Sequence, residues 1–190
     1  MRFLTRSLAA LIALGMATTV SPGAQGQQAA QPAAAMVARG KYLVTVQDCN
    51  GCHTPFNRGE PDMTKALSGH PQSLPAITAG PRLPAGWETS INSTNTAWSG
   101  PWGVSFTSNL TSDRATGIGA WSEQQFITAI REGKKSGSAT GRTMLPPMPW
   151  RMYAQLTDDD LKAMFAYLMT VPAISNRVPA AVIAPPAPAR

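Results

Sequence analysis

The chain has 190 residues, 16 Lys plus Arg against 10 Asp plus Glu, and a formal charge of +6, which fits one domain or at most two. No dense basic stripe interleaved with aromatics runs through it, so the charge is no argument for nucleic acid; it suits a protein that meets acidic partners. The chain has two histidines and two cysteines, and no Ser/His/Asp set or phosphate-binding loop stands out in it.

Arg2 and Arg6 precede a nearly continuous apolar run from Leu8 to Val20, followed by Ala24-Gln25-Gly26. Thirteen residues are short for a membrane-spanning helix. The pattern is that of an export signal over residues 1–26, removed before Gln27, which places the mature chain in the bacterial periplasm; the alternative is an uncleaved membrane anchor. Removing Arg2 and Arg6 leaves 14 basic residues against 10 acids, near +4. Residues 27–35, rich in Ala, Gln and Pro, read as a disordered lead-in.

Ala34 to Val46 reads as the first helix, with Met36, Val37, Gly40, Leu43 and Val44 on one face. A mid-helix glycine costs about 1 kcal/mol against alanine, so Gly40 suggests a helix crossing closely there. The segment Asp48-Cys49-Asn50-Gly51-Cys52-His53-Thr54-Pro55 follows. Cys-x-x-Cys-His is the attachment signature of c-type haem. Two thiols three apart on one turn reach the two vinyl groups of one porphyrin, and the next residue ligates the iron through its imidazole. A thioredoxin-like pair would want a cytosolic or βαβ setting, a zinc site would want four ligands, and a plain disulfide would leave His53 without a purpose. Cys49, Cys52 and His53 are therefore the expected haem c residues, one haem per chain.

From His53 to Gly119 no period is sustained. Trp87, Trp98 and Trp102 punctuate this stretch and are expected either to line the haem or to pack in the core. So long an irregular stretch is unusual unless a buried porphyrin supplies the surface on which it packs. Ser122 to Arg131 reads as a second helix, opened by a Ser122/Gln125 capping box and stopped by Gly133. Thr157 to Thr170 reads as the last helix, capped by Thr157, with Leu161, Met164, Phe165 and Leu168 on one face and Pro172 ending it. Residues 36–178 make up the domain, and the Ala/Pro-rich 179–190 is expected to be an extended tail.

Between the last two helices lies Gly141-Arg142-Thr143-Met144-Leu145-Pro146-Pro147-Met148-Pro149-Trp150. Prolines flank Met148 and fix the backbone on both sides, so its sulfur is pre-placed as the sixth iron ligand. Met144 is the weaker alternative. Met164 belongs to the core face, Met152 and Met169 lie off the rigid loop, Met63 is an outsider, and His70 is the spare imidazole. Arg131, Lys134, Lys135 and Arg142 approach the Met loop and are expected to steer an acidic partner.

With these residues in view the chain resembles class I c-type cytochrome domains, particularly the cytochrome subunits of exported bacterial dehydrogenases for alcohols, aldehydes, sugar acids and N-heterocycles. The resemblance runs from about Val37 to Val178. It rests on Gly40-Lys41-Tyr42-Leu43, the haem motif, Gly100-Pro101-Trp102-Gly103, Asn109-Leu110-Thr111-Ser112-Asp113, Thr116 to Ser122 with Phe126, Ala129 to Gly133, Pro146 to Trp150, and Phe165-Ala166-Tyr167-Leu168. It implies a mainly α cytochrome c fold, with N- and C-terminal helices packed together around a covalent haem and long irregular loops between. It also implies Met148 as the distal ligand. The implied role is single-electron transfer, not catalysis, between a dehydrogenase and a respiratory-chain redox protein, with the membrane met only through a partner or an uncleaved signal. A haem enzyme or gas sensor with a displaceable distal ligand is the alternative. Two departures stand out. Many such subunits carry two or three haem domains where this chain has a single motif, and Ser112 stands where the family usually has Pro.

Overall fold

A computed structural model describes residues 23–185. Helix α1 (Gly23–Val46) leads into the short helix α2 (Cys49–His53). Strands β1 (Phe56–Asn57) and β2 (Glu60–Pro61) form a small hairpin. Strands β3 (Ser90–Ile91), β4 (Ala97–Gly100) and β5 (Gly103–Phe106) follow, then helices α3 (Glu123–Glu132), α4 (Trp150–Tyr153) and α5 (Asp158–Leu168), and last β6 (Val182–Ile183). Among the described residues no helix is long and apolar enough to cross a membrane.

The helices start and stop where side chains satisfy their end groups. Ser122 and Gln125 form the reciprocal capping box of α3, and Gly133 closes that helix in the left-handed region at φ 63°. Thr157 accepts from the Asp160 amide at 3.1 Å, and Asp158, Asp159 and Asp160 sit in the first turn of α5 against the positive end of its dipole. Helix α1 ends at Val46, as its apolar period predicts, but starts at Gly23. The expected lead-in 27–35 is thus helical: alanine and glutamine, which make it look too polar or small to fold, are also strong helix formers. The expected signal 1–26 lies outside the described residues except for its last four, which belong to α1.

α1 crosses α5 at Gly40. A Cβ on Gly40 would lie 1.8 Å from the Ala163 carbonyl oxygen and 2.8 Å from Tyr167 Cβ, so the two backbones touch and only glycine fits. Leu43 and Val44 of α1 join Leu161, Met164 and Leu168 of α5 and Phe126, Ile127 and Ile130 of α3 in one buried core. Met36, expected on that face, is 44% exposed. Arg39 and Asp160 pair across the two helices at 2.9 Å.

The irregular middle holds a four-stranded antiparallel sheet in the order β3-β4-β5-β6. Pro101 and Trp102 form a two-residue turn between Gly100 and Gly103, which face each other in register. Ala97, Val104 and Phe106 make a second small core with Val178 and Val182. The tail is therefore not free over its first part: 182–183 pair with β5, because an open strand edge recruits backbone regardless of side chain. Residues 186–190 lie outside the described residues.

Loops are held by two buried amides. Asn109 donates to the Ile174 carbonyl at 2.8 Å and accepts from Thr111. Asn176 donates to the Ser68 and His70 carbonyls at 2.7 and 2.9 Å and accepts from the Gln72 amide at 2.8 Å. Ser112, the departure from the family pattern, donates to the Val171 carbonyl at 2.6 Å beyond the end of α5.

Gly40→Ala should lower the unfolding free energy by about 1–3 kcal/mol through overpacking, even though alanine gains roughly 1 kcal/mol in helix propensity. Denaturant unfolding of the purified protein measures it; unchanged or higher stability would contradict backbone contact at this crossing.

Candidate functional site

A cavity of about 460 Å³ opens between the three-helix core and the sheet, within the roughly 300–1,000 Å³ range of cofactor pockets. Cys49, Cys52 and His53 line it from one side, Leu110, Ile118, Trp121, Phe126 and Ile130 from the interior, and Met144 to Pro149 from the loop after α3. The three sequence-predicted attachment residues are brought together on α2. Asp48 caps that helix at φ 53° and accepts from the Gly51 amide at 3.2 Å. A Cβ on Gly51 would fall 2.2 Å from the Asp48 carboxylate and would displace the side chain that caps the helix. Thr54 donates to Asn50 at 2.8 Å and accepts from the Leu67 amide at 2.8 Å, which anchors the turn to the core.

His53 is buried, and its Nδ1–H donates to the Ser108 carbonyl at 2.7 Å. That bond fixes the tautomer and the ring orientation and leaves Nε2 as a lone-pair donor, the arrangement a metal-ligating histidine needs. Burial holds the imidazole below its ordinary pKa, so the neutral, ligating form dominates near neutral pH.

Cys49 and Cys52 are not bonded to each other. Burial pushes Cys49 up to about 12, with the Asp48 charge adding to it, and Cys52 shifts up for the same reasons. A redox pair of the thioredoxin kind depends on the opposite, a lowered thiol pKa. Among the described residues no group of three or more His, Cys, Asp or Glu is placed to hold a metal ion, which disfavours the zinc reading. The donor set does fit covalent haem: two sulfurs on one turn, an oriented imidazole beside them, and a largely apolar wall.

Met144 and Met148 both line the cavity, as does Met164 from α5. Ser105 of β5 donates to the Pro146 carbonyl at 2.6 Å and ties the proline run to the sheet. The Met144 amide donates to the Gly133 carbonyl at 2.7 Å and ties the other end to α3. Met63 and Met152 are 60% and 72% exposed and face away from this chemistry. His70 does not line the cavity. It is buried beside Phe106, ring centroids 4.8 Å apart, with Nδ1 on the Thr96 hydroxyl at 2.9 Å. Nor do Trp87, Trp98 and Trp102 line it: Trp87 is 70% exposed, and Trp98 and Trp102 belong to the sheet and its turn. Trp121, not singled out from the sequence, takes that position.

The expected basic cluster splits three ways. Arg131 is a clamp, donating to the Ala154 carbonyl, to the Leu156 carbonyl at 2.8 Å and to Asp158. Lys134 does not line the cavity, and its backbone bridges to Thr143. Lys135 and Arg142 do line it. Lys135 Nζ donates to the Ser108 hydroxyl at 2.8 Å, and burial, with the Arg142 charge next, lowers its pKa. Ser108 itself had no sequence signal, because it orients His53 through a backbone carbonyl that every residue possesses. Tyr153, also missed, donates to the Gln47 carbonyl at 2.7 Å and holds α4 against the end of α1.

Comparison with known proteins agrees with this geometry. Residues 37–172 match the family model for cytochrome c. The chain is 33% identical over 135 residues to the gluconate 2-dehydrogenase cytochrome c subunit of Pantoea cypripedii, covering 71% of this chain and 23% of that one. It is 32% identical over 162 residues to the cytochrome c subunit of the alcohol dehydrogenase (quinone) of Gluconobacter oxydans, covering 85% and 26%. To the fructose dehydrogenase cytochrome subunit of Gluconobacter japonicus it is 31% identical over 134 residues, covering 70% and 21%. The chain thus spans about a quarter of the length of these curated relatives. With the family model covering most of the chain and the attachment turn, the oriented histidine and the cavity all present, the chain belongs to the cytochrome c family and its cofactor is covalent haem c.

Proposed function

We propose that the chain is a monohaem c-type cytochrome that moves single electrons in the bacterial periplasm, accepting them from a dehydrogenase and passing them towards the respiratory chain. The observation that carries the reading is the attachment turn, where Cys49, Cys52 and His53 share α2 and line one apolar cavity with two loop methionines. When bound, haem c supplies a one-electron iron couple. The chain's residues do the rest. Cys49 and Cys52 would anchor the haem by thioethers, His53 would ligate through Nε2 with Ser108 holding the ring, and Met148, on a loop tied by Ser105, would supply the second ligand from the chain. A thioether in that position raises the potential. An imidazole and a thioether both supplied by the chain would leave no place for a substrate or gas, which is why electron transfer is preferred to haem catalysis or sensing. The donor rests on what the matching relatives are named for, since all three are cytochrome subunits of dehydrogenases. The compartment rests on the basic, apolar and small-residue order of the first 26 residues.

Attachment needs both sulfurs, so Cys49→Ala and Cys52→Ala should each yield little mature holoprotein after export. Normal recovery from the double variant, with haem that acid extraction removes, would refute covalent attachment.

Met148→Ala should abolish the far-red methionine-to-iron band of the oxidised protein and lower its potential, while Met144→Ala keeps both. The reverse outcome would make Met144 the ligand. Absence of the band from the unmodified protein would reopen the haem-enzyme and sensor readings.

A further inference from the structure

We propose that Lys135 and Arg142 form an anion subsite that takes a propionate carboxylate of the haem, and that this subsite holds the potential up. The inference rests on the haem reading above. Lys135 is half-buried in the cavity wall, yet its ammonium meets only the neutral Ser108 hydroxyl, and it forms no ion pair among the described residues. Arg142 donates only to the neighbouring Thr143 carbonyl and is likewise without an ion pair among them. The Lys135 amide donates to the Arg142 carbonyl at 2.9 Å, so two basic residues neighbour each other on one wall, Lys135 half-buried and Arg142 more exposed. Like charges on one wall, one of them partly desolvated, favour an anion between or before them.

Among the described residues the cavity wall offers no such anion. Asp48 is the sole acid among the cavity-lining residues, and its carboxylate caps α2, where it accepts from the Gly51 amide. The rest of the wall is mostly apolar. A counter-charge carried by the occupant would pair with the two basic residues, and a carboxylate matches both donors: a guanidinium binds it through paired N–H groups and an ammonium as a point charge. Ser108 gives the subsite a line to the iron side. Its hydroxyl accepts from Lys135 and its carbonyl accepts from His53, so one residue joins the anion subsite to the proximal imidazole. Positive charge beside the cofactor disfavours the oxidised, more positive iron and raises the potential. These two side chains are then part of the cofactor's environment and not free steering charges.

The test compares the midpoint potentials of the holoproteins Lys135→Gln, Arg142→Gln, their double variant, Lys135→Arg and the control Lys134→Gln, by spectroelectrochemistry. Lys134 adjoins Lys135 in sequence but does not line the cavity. The subsite predicts a lowered potential in both single variants, a larger fall in the double variant, retention in Lys135→Arg and little change in Lys134→Gln. The methionine-to-iron band should stay in every one. Equal potentials throughout, or a fall in Lys134→Gln as large as in Lys135→Gln, would overturn it. A second measurement covers the case where the double variant does not fold: redox-difference infrared spectra of protein carrying haem labelled with 13C at its propionate carboxyls. Labelled carboxylate bands that move between wild type and Lys135→Arg support the subsite; bands that stay put, or a potential that follows added chloride or phosphate instead, would mean an adventitious ion only. Haem that is not covalently bound in the unmodified protein would sink the haem reading itself, which these variants cannot imitate.

Discussion

The wall atoms of an apolar cavity gain dispersion contacts from whatever fills it. In this chain the cavity is bounded by α2, the end of β5, α3, the Met loop and α5, elements far apart in sequence. Together they suit a large, mostly apolar occupant. The helical core fixes one side, through the close crossing of α1 and α5 at Gly40. The sheet fixes the other, through Ser105 and the Pro146 carbonyl.

Between these two rigid parts the backbone is mostly irregular, and its polar groups need partners. Asn109 and Asn176 supply many of them. Each is buried, and each joins the segment after α5 to loops of the haem-binding half. The segment from Ile174 to Val182 thereby becomes a strap: it is held by both amides, then pairs with β5, and in passing it contributes Arg177 to Ala180 to the cavity wall. This is how a loop-rich chain keeps a defined pocket without long strands or a large sheet. The same economy places Ser108 where its two oxygens serve two different groups, His53 and Lys135.

The parts legible in the sequence are those that side chains announce. The Ser122/Gln125 box, the Thr157 cap and the apolar periods set α3 and α5 to within a residue or two, and the five-residue haem motif located the attachment turn. The sheet was not legible because its strands are two to four residues long; the Val104/Phe106 alternation is too brief to stand out from a loop. β6 was hidden in an Ala/Pro tail because strand pairing there depends on backbone groups. The sign of a charge can be read from a sequence but its direction cannot. So Arg131, Lys134, Lys135 and Arg142 looked like one steering patch, when Arg131 is a clamp and two of the others face the cavity. The tryptophans failed in the same way: aromatic content was visible, and which ring reaches the pocket was decided by the turn at Pro101 and the approach to α3.

Mass spectrometry of the peptide spanning Cys49 to His53, from denatured and acid-extracted mature protein, tests the central claim most directly. The account predicts the mass of that peptide plus one haem, with neither thiol open to alkylation. A peptide of unmodified mass with both Cys49 and Cys52 alkylated, from protein recovered folded from an exporting host, would contradict it.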